Sequence, residues 1–221
     1  MNLGDAPAAE AWIAAALAPR SIAVVGASAE PDKIGGRPIK YMLRHRYAGR
    51  IFPVNPQRPE VQGLKAYPDL ASLPEAPELA IVAVPGPAAP EAVAKCAARG
   101  VKVAVVMASG FGETGEKGRQ VQEEMVRAAR AAGLRLVGPN TQGLANFANG
   151  AIASFATLIG EIEPADGPIA VVSQSGAMSM VPYALLRARG LGIRHSHATG
   201  NEADLTVADF VRAVALDPGV R

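Results

Sequence analysis

The first glycine-rich turn constrains the fold more than any other stretch of this sequence. Four β-prone residues precede Gly26, and a polar turn then leads to Gly35, Gly36 and a helical pattern. The order strand, glycine-rich loop, helix is typical of parallel α/β sheets, in which backbone N–H groups and the helix dipole bind anions. We therefore expect a phosphate over residues 26–28 and the later glycine pair, with Pro38 in the first helical turn.

The spacing of these glycines disfavours a dinucleotide site. A dinucleotide fingerprint has G-x-G-x-x-G and, about 20 positions later, an acidic residue that binds a ribose hydroxyl. Here Ser28 stands in place of the second glycine, and the strand predicted at residues 50–55 ends in Asn55. A phosphate-bearing nucleotide other than NAD is therefore favoured over an NAD-dependent oxidoreductase.

Two expectations concern the surroundings of the loop. A valine at Gly26 should block ligand binding and leave the fold largely intact, because its side chain would stand where the ligand approaches the backbone. Lys33, Arg37, Lys40 and Arg44 recur on one side of the following helix. They form either a solvated face or, for the first two, a contact with the phosphate.

Composition excludes several classes of protein. The 221 residues are 49% hydrophobic and 5% aromatic, which suits a parallel sheet rich in Ala and Val. A formal charge of +2 is too balanced for nucleic-acid binding. Neither a signal peptide nor a membrane span is expected, and residues 11–18 suggest an amphipathic helix. The single cysteine, Cys96, forms no internal disulfide, which indicates the cytoplasm. No metal site is predicted.

Strands and helices alternate through the first two thirds of the chain. Strands are predicted at residues 22–25, 50–55, 79–84, 101–107 and 134–137, with helices at 89–99 and 115–132. This alternation predicts right-handed βαβ units and a Rossmann-like parallel sheet. Each strand ends in a turn with glycine or proline, and all five turns should lie on the carboxyl edge. The sequence therefore predicts a groove there for an extended ligand, contacted mainly by backbone.

A second, smaller unit follows. We expect a first domain over residues 1–147, a linker over 148–167 with a boundary near 164–168, and a second α/β unit over 168–221. The second unit shows strands at 169–172 and 192–198 and helices at 177–189 and 205–216. Two strands and two helices are too few for a complete doubly wound domain. We therefore expect unburied apolar surface and an oligomer or partner chain.

An ordered set of motifs carries a family resemblance. In chain order they are Ile22-Ala-Val-Val-Gly-Ala-Ser28, Pro53-Val-Asn-Pro56, Gly63-Leu-Lys-Ala-Tyr-Pro68, Ala83-Val-Pro85, Ser109-Gly-Phe111, Gly138-Pro-Asn140, Val172-Ser-Gln-Ser-Gly-Ala177 and Gly200-Asn-Glu-Ala-Asp204. With this set the chain resembles the N-terminal part of NDP-forming (ADP-forming) acyl-CoA synthetases, which include the alpha subunit of succinyl-CoA synthetase. The motifs extend from about residue 19 almost to the last residue.

The resemblance implies a Rossmann-like CoA-binding domain followed by the start of a flavodoxin-like α/β domain. CoA would lie across the carboxyl edge. With the glycine pair of the first loop included, the expected contacts are Gly26, Ala27, Ser28, Lys33, Gly35, Gly36, Pro53, Val54, Asn55, Pro85, Ser109 and Gly110. Relatives often have a lysine directly after the Val-Asn-Pro stretch, where this chain has Gln57 and Arg58. Whether Arg58 replaces that charge near the nucleotide phosphate stays open.

The resemblance also implies a reaction. Family members couple a carboxylic acid, CoA and ATP to acyl-CoA, ADP and phosphate, through an acyl phosphate and a phosphorylated histidine. Asn140, Ser175 and Gly176 would hold the phosphoryl group, the last two at a helix N-terminus. A nucleophilic serine is disfavoured because G-x-S-x-G is absent around Ser175. ATP or ADP and Mg²⁺ would enter through an ATP-grasp domain or a beta subunit.

The histidines decide what residues 1–221 can do. Ser196-His-Ala-Thr-Gly200 superficially resembles the sequence around the family's phosphorylated histidine, but it runs directly into a motif that the family places well upstream. His197 is therefore predicted to be a strand residue, and His45 to lie on the surface. The phosphorylated histidine and the ATP-grasp module are expected outside this chain. The alternative is a stand-alone, non-catalytic CoA-binding or regulatory protein.

Overall fold

A computed structural model describes residues 11–221, which form eleven strands and seven α-helices in this range. The strands are β1 (Ser21–Val25), β2 (Arg50–Val54), β3 (Glu60–Val61), β4 (Leu64–Lys65), β5 (Leu79–Val82), β6 (Val103–Val106), β7 (Arg135–Val137), β8 (Gly143–Asn146), β9 (Ala151–Ser154), β10 (Ile169–Ser173) and β11 (Ile193–Ala198). The helices are α1 (Ala11–Leu17), α2 (Arg37–Arg44), α3 (Ala89–Ala98), α4 (Glu116–Ala131), α5 (Leu158–Glu161), α6 (Gly176–Ala188) and α7 (Val207–Val214). Within the described range, no helix has the length and apolar character needed to cross a membrane.

The first sheet is parallel and has the strand order β2-β1-β5-β6-β7. Its three central strands are almost completely buried, which explains why they read as continuous Val, Ile, Leu and Ala runs. Successive residues face opposite sides: Ile22 and Val24 pack in one hydrophobic cluster and Ala23 in the other. The five predicted strands and the parallel α/β class are confirmed.

The second sheet is mixed, with the order β10-β11-β8-β9. Strands β10 and β11 are parallel, whereas β8 pairs antiparallel with both β11 and β9. Strands β8 and β9 were not predicted. Residues 143–146 were expected in the first domain and residues 148–167 in a linker; in the structure β8 and β9 pair within the second sheet, and α5 also falls within residues 148–167.

Residues 199–205 contact both sheets, and we call this segment the joint. The N–H groups of Thr199 and Gly200 donate to carbonyls at the end of β10, at 3.0 Å each. Farther along, Ala203 donates to Gly138 O at 3.1 Å and Leu205 to Leu136 O at 3.1 Å, at the end of β7. The joint therefore contacts the carboxyl ends of both sheets.

Asp204 anchors the joint. Its side chain has no solvent exposure and accepts hydrogen bonds from Arg130 Nε (2.7 Å), from Arg135 Nε (3.0 Å to Oδ2) and from Leu136 N (2.7 Å). A buried carboxylate is tolerated only when it is paired and hydrogen-bonded. The two arginines come from α4 and β7, so the contact ties the joint to the first sheet.

The second unit leaves apolar surface exposed, as the sequence predicts. Met178, Val181 and Leu185 lie on one side of α6 and are 56%, 46% and 53% exposed. Strand β10 is at the edge of its sheet, and all five of its residues are only partly buried. An exposed edge strand next to an apolar helix face is typical of an interaction surface.

Replacing Asp204 by alanine should destabilise the fold strongly. The change leaves Arg130, Arg135 and the N–H of Leu136 without their acceptor, so we expect the free energy of unfolding to fall by about 3 kcal/mol. Asp204→Asn keeps an acceptor for Leu136 N and should lose less. Urea denaturation of the three proteins measures this, and a loss below about 0.5 kcal/mol for Asp204→Ala would refute the anchoring role.

Candidate functional site

The carboxyl edge of the first sheet places the predicted ligand residues in a row. Following the strand order, the residues after each strand end are Asn55 (β2), Gly26 (β1), Ala83 to Pro85 (β5), Met107 to Ser109 (β6) and Gly138 (β7). The chain order reverses between β1 and β5, which makes this the topological switch point where open α/β sheets bind ligands. Four strand spacings give the row a length of about 19 Å. The edge therefore has the length and the layout that an extended ligand requires.

The amides of the first loop are already paired. Gly26 N and Ala27 N both donate to Val54 O at 3.2 Å, and Ser28 N donates to Gly35 O at 3.2 Å. In this structure the three N–H groups therefore donate within the protein. The sequence could not show this pairing, because the acceptor Val54 belongs to a neighbouring strand.

The loop glycines are required by packing. Gly26 has φ +84°, and a Cβ there would lie 2.6 Å from Ala83 O; a Cβ on Gly35 would lie 2.1 Å from Gly26 O, and one on Gly36 2.0 Å from Glu30 O. Backbone oxygens this close cannot accommodate a side chain. The expectation that Gly26→Val spares the fold is therefore wrong, because the valine would displace strand β5 as well as any ligand.

Two amide side chains brace the first loop. Asn55 Nδ2 donates to Ala27 O at 2.8 Å, and its Oδ1 accepts from Gln57 N at 2.8 Å. Gln62, in the β3–β4 turn, donates to Ser28 O and Gly36 O at 3.0 Å each. The Asn55 side chain therefore holds the loop. The sequence analysis missed Gln62 because nothing in its local pattern marks a contact 26 to 34 residues away.

The twelve residues predicted to contact CoA differ in exposure. Ala27, Gly35, Gly36, Pro53 and Val54 are buried, Gly26, Ser28 and Asn55 are half-buried, and Lys33, Pro85, Ser109 and Gly110 are exposed. The buried ones shape the edge, and the exposed ones are accessible to a ligand. Arg58 is exposed in the turn after β2.

The cations of α2 and its preceding turn are mostly engaged. Lys33 Nζ lies 2.7 Å from Glu30 Oε1 and Lys40 Nζ 2.8 Å from Asp32 Oδ1, while Arg44 pairs with Glu163. Arg37 donates to the carbonyl of Phe155 at 3.3 Å. Among these cations, Lys33 lies nearest the loop. Its side chain is 63% exposed and is therefore accessible to a phosphate.

A cleft of about 770 Å³ continues the edge toward the second unit. It brings together the three residues predicted to hold a phosphoryl group, Asn140, Ser175 and Gly176. Ser175 is the N-cap of α6, and its Oγ accepts from Met178 N at 3.4 Å. A Cβ on Gly176 would lie 2.5 Å from Gln142 Cγ, so a side chain there would have to displace that of Gln142. The open N-terminus of a 13-residue helix favours an anion here.

Three other residues of the cleft were missed. Glu113, Gln122 and Asn201 line it, and Asn201 Nδ2 donates to both Glu113 and Gln122. Glu113 lies in the glycine-rich turn after β6 and Asn201 in the last family motif, so both motifs were recognised although their contact was not. A contact over 88 residues has no local signal.

The structure confirms His197 as a strand residue and corrects the prediction for His45. His197 lies in β11 with no exposure, its ring centroid 5.1 Å from that of His195 and 5.2 Å from that of Phe210. Burial and the neighbouring His195 hold the pKa of His197 well below its ordinary value. The side chain of His45 is 13% exposed and is therefore largely buried rather than on the surface.

Metal and thiol chemistry have little support in residues 11–221. This range contains no group of three His, Cys, Asp or Glu residues placed to hold a metal ion. Cys96 is fully buried, and burial raises the pKa of its thiol to about 12, so the thiolate form is disfavoured.

Comparison with protein families matches both parts of the chain. The model of the CoA binding domain matches residues 20–146, which is more than half of the sequence, and that of the succinyl-CoA ligase-like flavodoxin domain matches residues 166–221. The chain belongs to the CoA-binding domain family. The resemblance to NDP-forming acyl-CoA synthetases inferred from the motifs is confirmed.

Individual relatives agree with this assignment. The chain is 34% identical over 207 residues to the alpha subunit of acetate–CoA ligase (ADP-forming) I of Pyrococcus furiosus, covering 92% of this chain and 44% of that subunit. It is 35% identical to a prokaryotic trans-feruloyl-CoA synthase, over 91% of this chain and 29% of the synthase. A solved acetyl-coenzyme A synthetase 1 of Ca. Korarchaeum cryptofilum, in complex with phosphate and ADP, matches with a TM-score of 0.85 and 34% identity, over 92% of this chain and 43% of the other. The chain thus spans less than half the length of these relatives.

Lowering the pH should destabilise the protein through His197. The folded ring stays neutral well below pH 6.5, whereas an unfolded histidine binds a proton near that pH. Unfolding therefore takes up a proton below about pH 6.5, and stability falls as the pH falls, by up to about 1.4 kcal/mol per pH unit for this residue. Urea denaturation between pH 7 and 5 gives the free energy of unfolding at each pH. This free energy should fall less steeply with falling pH for His197→Leu than for the natural protein. An equal slope would contradict this account.

Proposed function

We propose that this chain is the CoA-binding portion of an ADP-forming acyl-CoA synthetase, which converts a carboxylic acid, CoA and ATP to acyl-CoA, ADP and phosphate. The match of the CoA binding domain to residues 20–146, which include the whole carboxyl edge, carries the proposal. Relatives named as ADP-forming ligases support the reaction class. They do not favour a stand-alone regulatory protein.

In this proposal CoA lies along the carboxyl edge, with its phosphates at the switch point between β1 and β5. Gly26, Gly35 and Gly36 allow the first loop to pack closely, because a side chain at any of the three would meet a backbone oxygen. Lys33 supplies a cation beside that loop, and Arg58 is a second candidate for the nucleotide phosphate. The thiol end would reach Ser109 and Gly110, two exposed residues between the switch point and the cleft.

The phosphoryl group would lie in the cleft at the N-terminus of α6. Ser175 and Gly176 begin that helix, whose dipole stabilises a negative charge, and Asn140 faces the same cleft. These residues would bind and orient the phosphoryl oxygens of an acyl phosphate while its acyl group passes to the CoA thiol, which loses its proton as the acyl C–O bond breaks and phosphate leaves. In this proposal the two reacting groups lie side by side at the end of the edge.

The remaining parts of the reaction would come from segments outside residues 1–221. We propose that these supply the phosphorylated histidine and an ATP-grasp domain or beta subunit with ATP and Mg²⁺, because His195 and His197 are buried in β11. The apolar side of α6 and the edge strand β10 are surfaces that such a segment or a second subunit would cover. The single buried cysteine fits a cytoplasmic location.

Calorimetric titration with CoA tests the proposal. We expect CoA to bind and NAD not to bind, and Lys33→Ala to weaken CoA binding about fivefold through loss of one exposed phosphate contact. The weakening should shrink at high salt, because an exposed charge contact is screened.

Lys40→Ala is the matched control. Lys40 also pairs with a carboxylate but lies farther into α2, so its loss should leave CoA affinity unchanged. Failure of the natural protein to bind CoA would overturn the proposal. Equal effects of the two substitutions would overturn the placement of the phosphate beside Lys33.

A further inference from the structure

Asn201 lies between the carboxyl edge of the first sheet, where we propose CoA, and the N-terminus of α6, where we propose the phosphoryl group. Its backbone N–H donates to Pro139 O at 2.9 Å, and the neighbouring Gly200 N–H donates to Gln174 O at 3.0 Å. Gln174 directly precedes the N-cap Ser175. The backbone of residues 200–201 is thus fixed to the β7 turn on one side and to the start of α6 on the other.

The side chain of Asn201 is engaged at both ends. Its Nδ2 group donates to Glu113 and, at 3.0 Å, to Gln122 Oε1, while its Oδ1 accepts from Asn140 Nδ2 at 3.3 Å. Four polar side chains from four separate segments therefore meet at one amide. Such an arrangement fixes the orientation of the amide, because each partner accepts or donates in a defined direction.

Both acceptors of Asn201 also hold the turn after β6. Glu113 accepts from Gly110 N at 2.6 Å and from Phe111 N at 3.2 Å, and Gln122 Oε1 accepts from Gly112 N at 3.2 Å. Burial alone would raise the pKa of Glu113, but the hydrogen bonds from Asn201, Gly110 and Phe111 leave that pKa below its ordinary value. The carboxylate is therefore ionised at neutral pH and holds the turn as a charged acceptor.

We propose that Asn201 is a positioning residue that holds the 109–113 turn in register with the N-terminus of α6. This inference rests on the proposed function, since Ser109 and Gly110 are the predicted contacts for the thiol end of CoA. The joint links the two sites through Gly200 to Gln174 and through Asn201 to Glu113. Movement of either site is then resisted by the other, which keeps the thiol and the phosphoryl group at a constant separation.

Asn201→Asp is the sharpest test, because it replaces the donating amide by a carboxylate that faces Glu113. The two negative charges should push the turn away, so we expect amide hydrogen exchange of residues 110–112 to quicken about tenfold and CoA binding to weaken about fivefold. Exchange measured by mass spectrometry needs no ligand. Calorimetry gives the affinity, and a thermal unfolding scan gives the melting temperature.

Rescue separates positioning from general stability. Glu113→Gln in the Asn201→Asp background reverses the direction of the hydrogen bond, since the glutamine amide donates to the new carboxylate while its oxygen still accepts from Gly110 N. Phe111 N loses its acceptor in this variant, so the recovery is read at Gly110 and in the affinity, which should return to within about twofold of the natural values. Asn149→Asp is the matched control: Asn149 lies in the β8–β9 turn, its Oδ1 accepts from Ala151 N as a carboxylate would, and no change is expected.

The outcomes are separable. If the natural protein binds no CoA, the proposed function fails, and hydrogen exchange alone decides the role of Asn201. Unchanged exchange and affinity in Asn201→Asp overturn the inference. If that variant unfolds, Asn201→Ser removes the amide without adding charge, and faster exchange at residues 110–112 with an unchanged melting temperature is then the supporting result. A lowered melting temperature without rescue by Glu113→Gln shows a merely structural role and also overturns it.

Discussion

The buried carboxylate of Asp204 ties the joint to the first sheet, beside a hydrophobic cluster that contains residues of both sheets. It is completely shielded from water and accepts hydrogen bonds from α4, from β7 and from the backbone of Leu136. Removing such a group from water is costly, so the surrounding donors must stay in place for the fold to persist. The joint is held against the first sheet for this reason, and its N-terminal end in turn meets β10.

The joint also brings a cleft beside the edge that we propose for CoA. The carboxyl ends of β2, β1, β5, β6 and β7 form a row, and the joint adds the cleft and the start of α6 at its end. A parallel sheet supplies the row, because every strand of such a sheet ends on the same side. The cleft requires the second sheet, which the joint keeps in contact with the first. The proposed CoA edge and the proposed phosphoryl cleft are thereby neighbours, and the cleft is lined by polar side chains such as Glu113 and Gln122.

Much of the first sheet could be predicted from the sequence because its signals are local. Runs such as Val103–Val106, which follows Lys102, are apolar and buried on both faces, so burial and pattern coincide. Strands β8 and β9 were missed because β8 pairs with β11, some fifty residues away, and neither strand has a strong pattern of its own.

Contacts between distant residues also limit what the sequence predicts about the site. The glycines of the first loop were found, but the pairing of their amides with Val54, the bracing by Gln62 and the contact between Glu113 and Asn201 depend on long-range packing.

The central claim is that CoA lies along the carboxyl edge of the first sheet and ends at the cleft beside α6. The crystal structure of this chain in complex with CoA tests it most directly. The account predicts the phosphates at the switch point between β1 and β5, near Gly26 and Lys33, and the thiol beside Gly110, within reach of the cleft. Density for CoA at any other surface, or with its thiol directed away from Ser175, would contradict it.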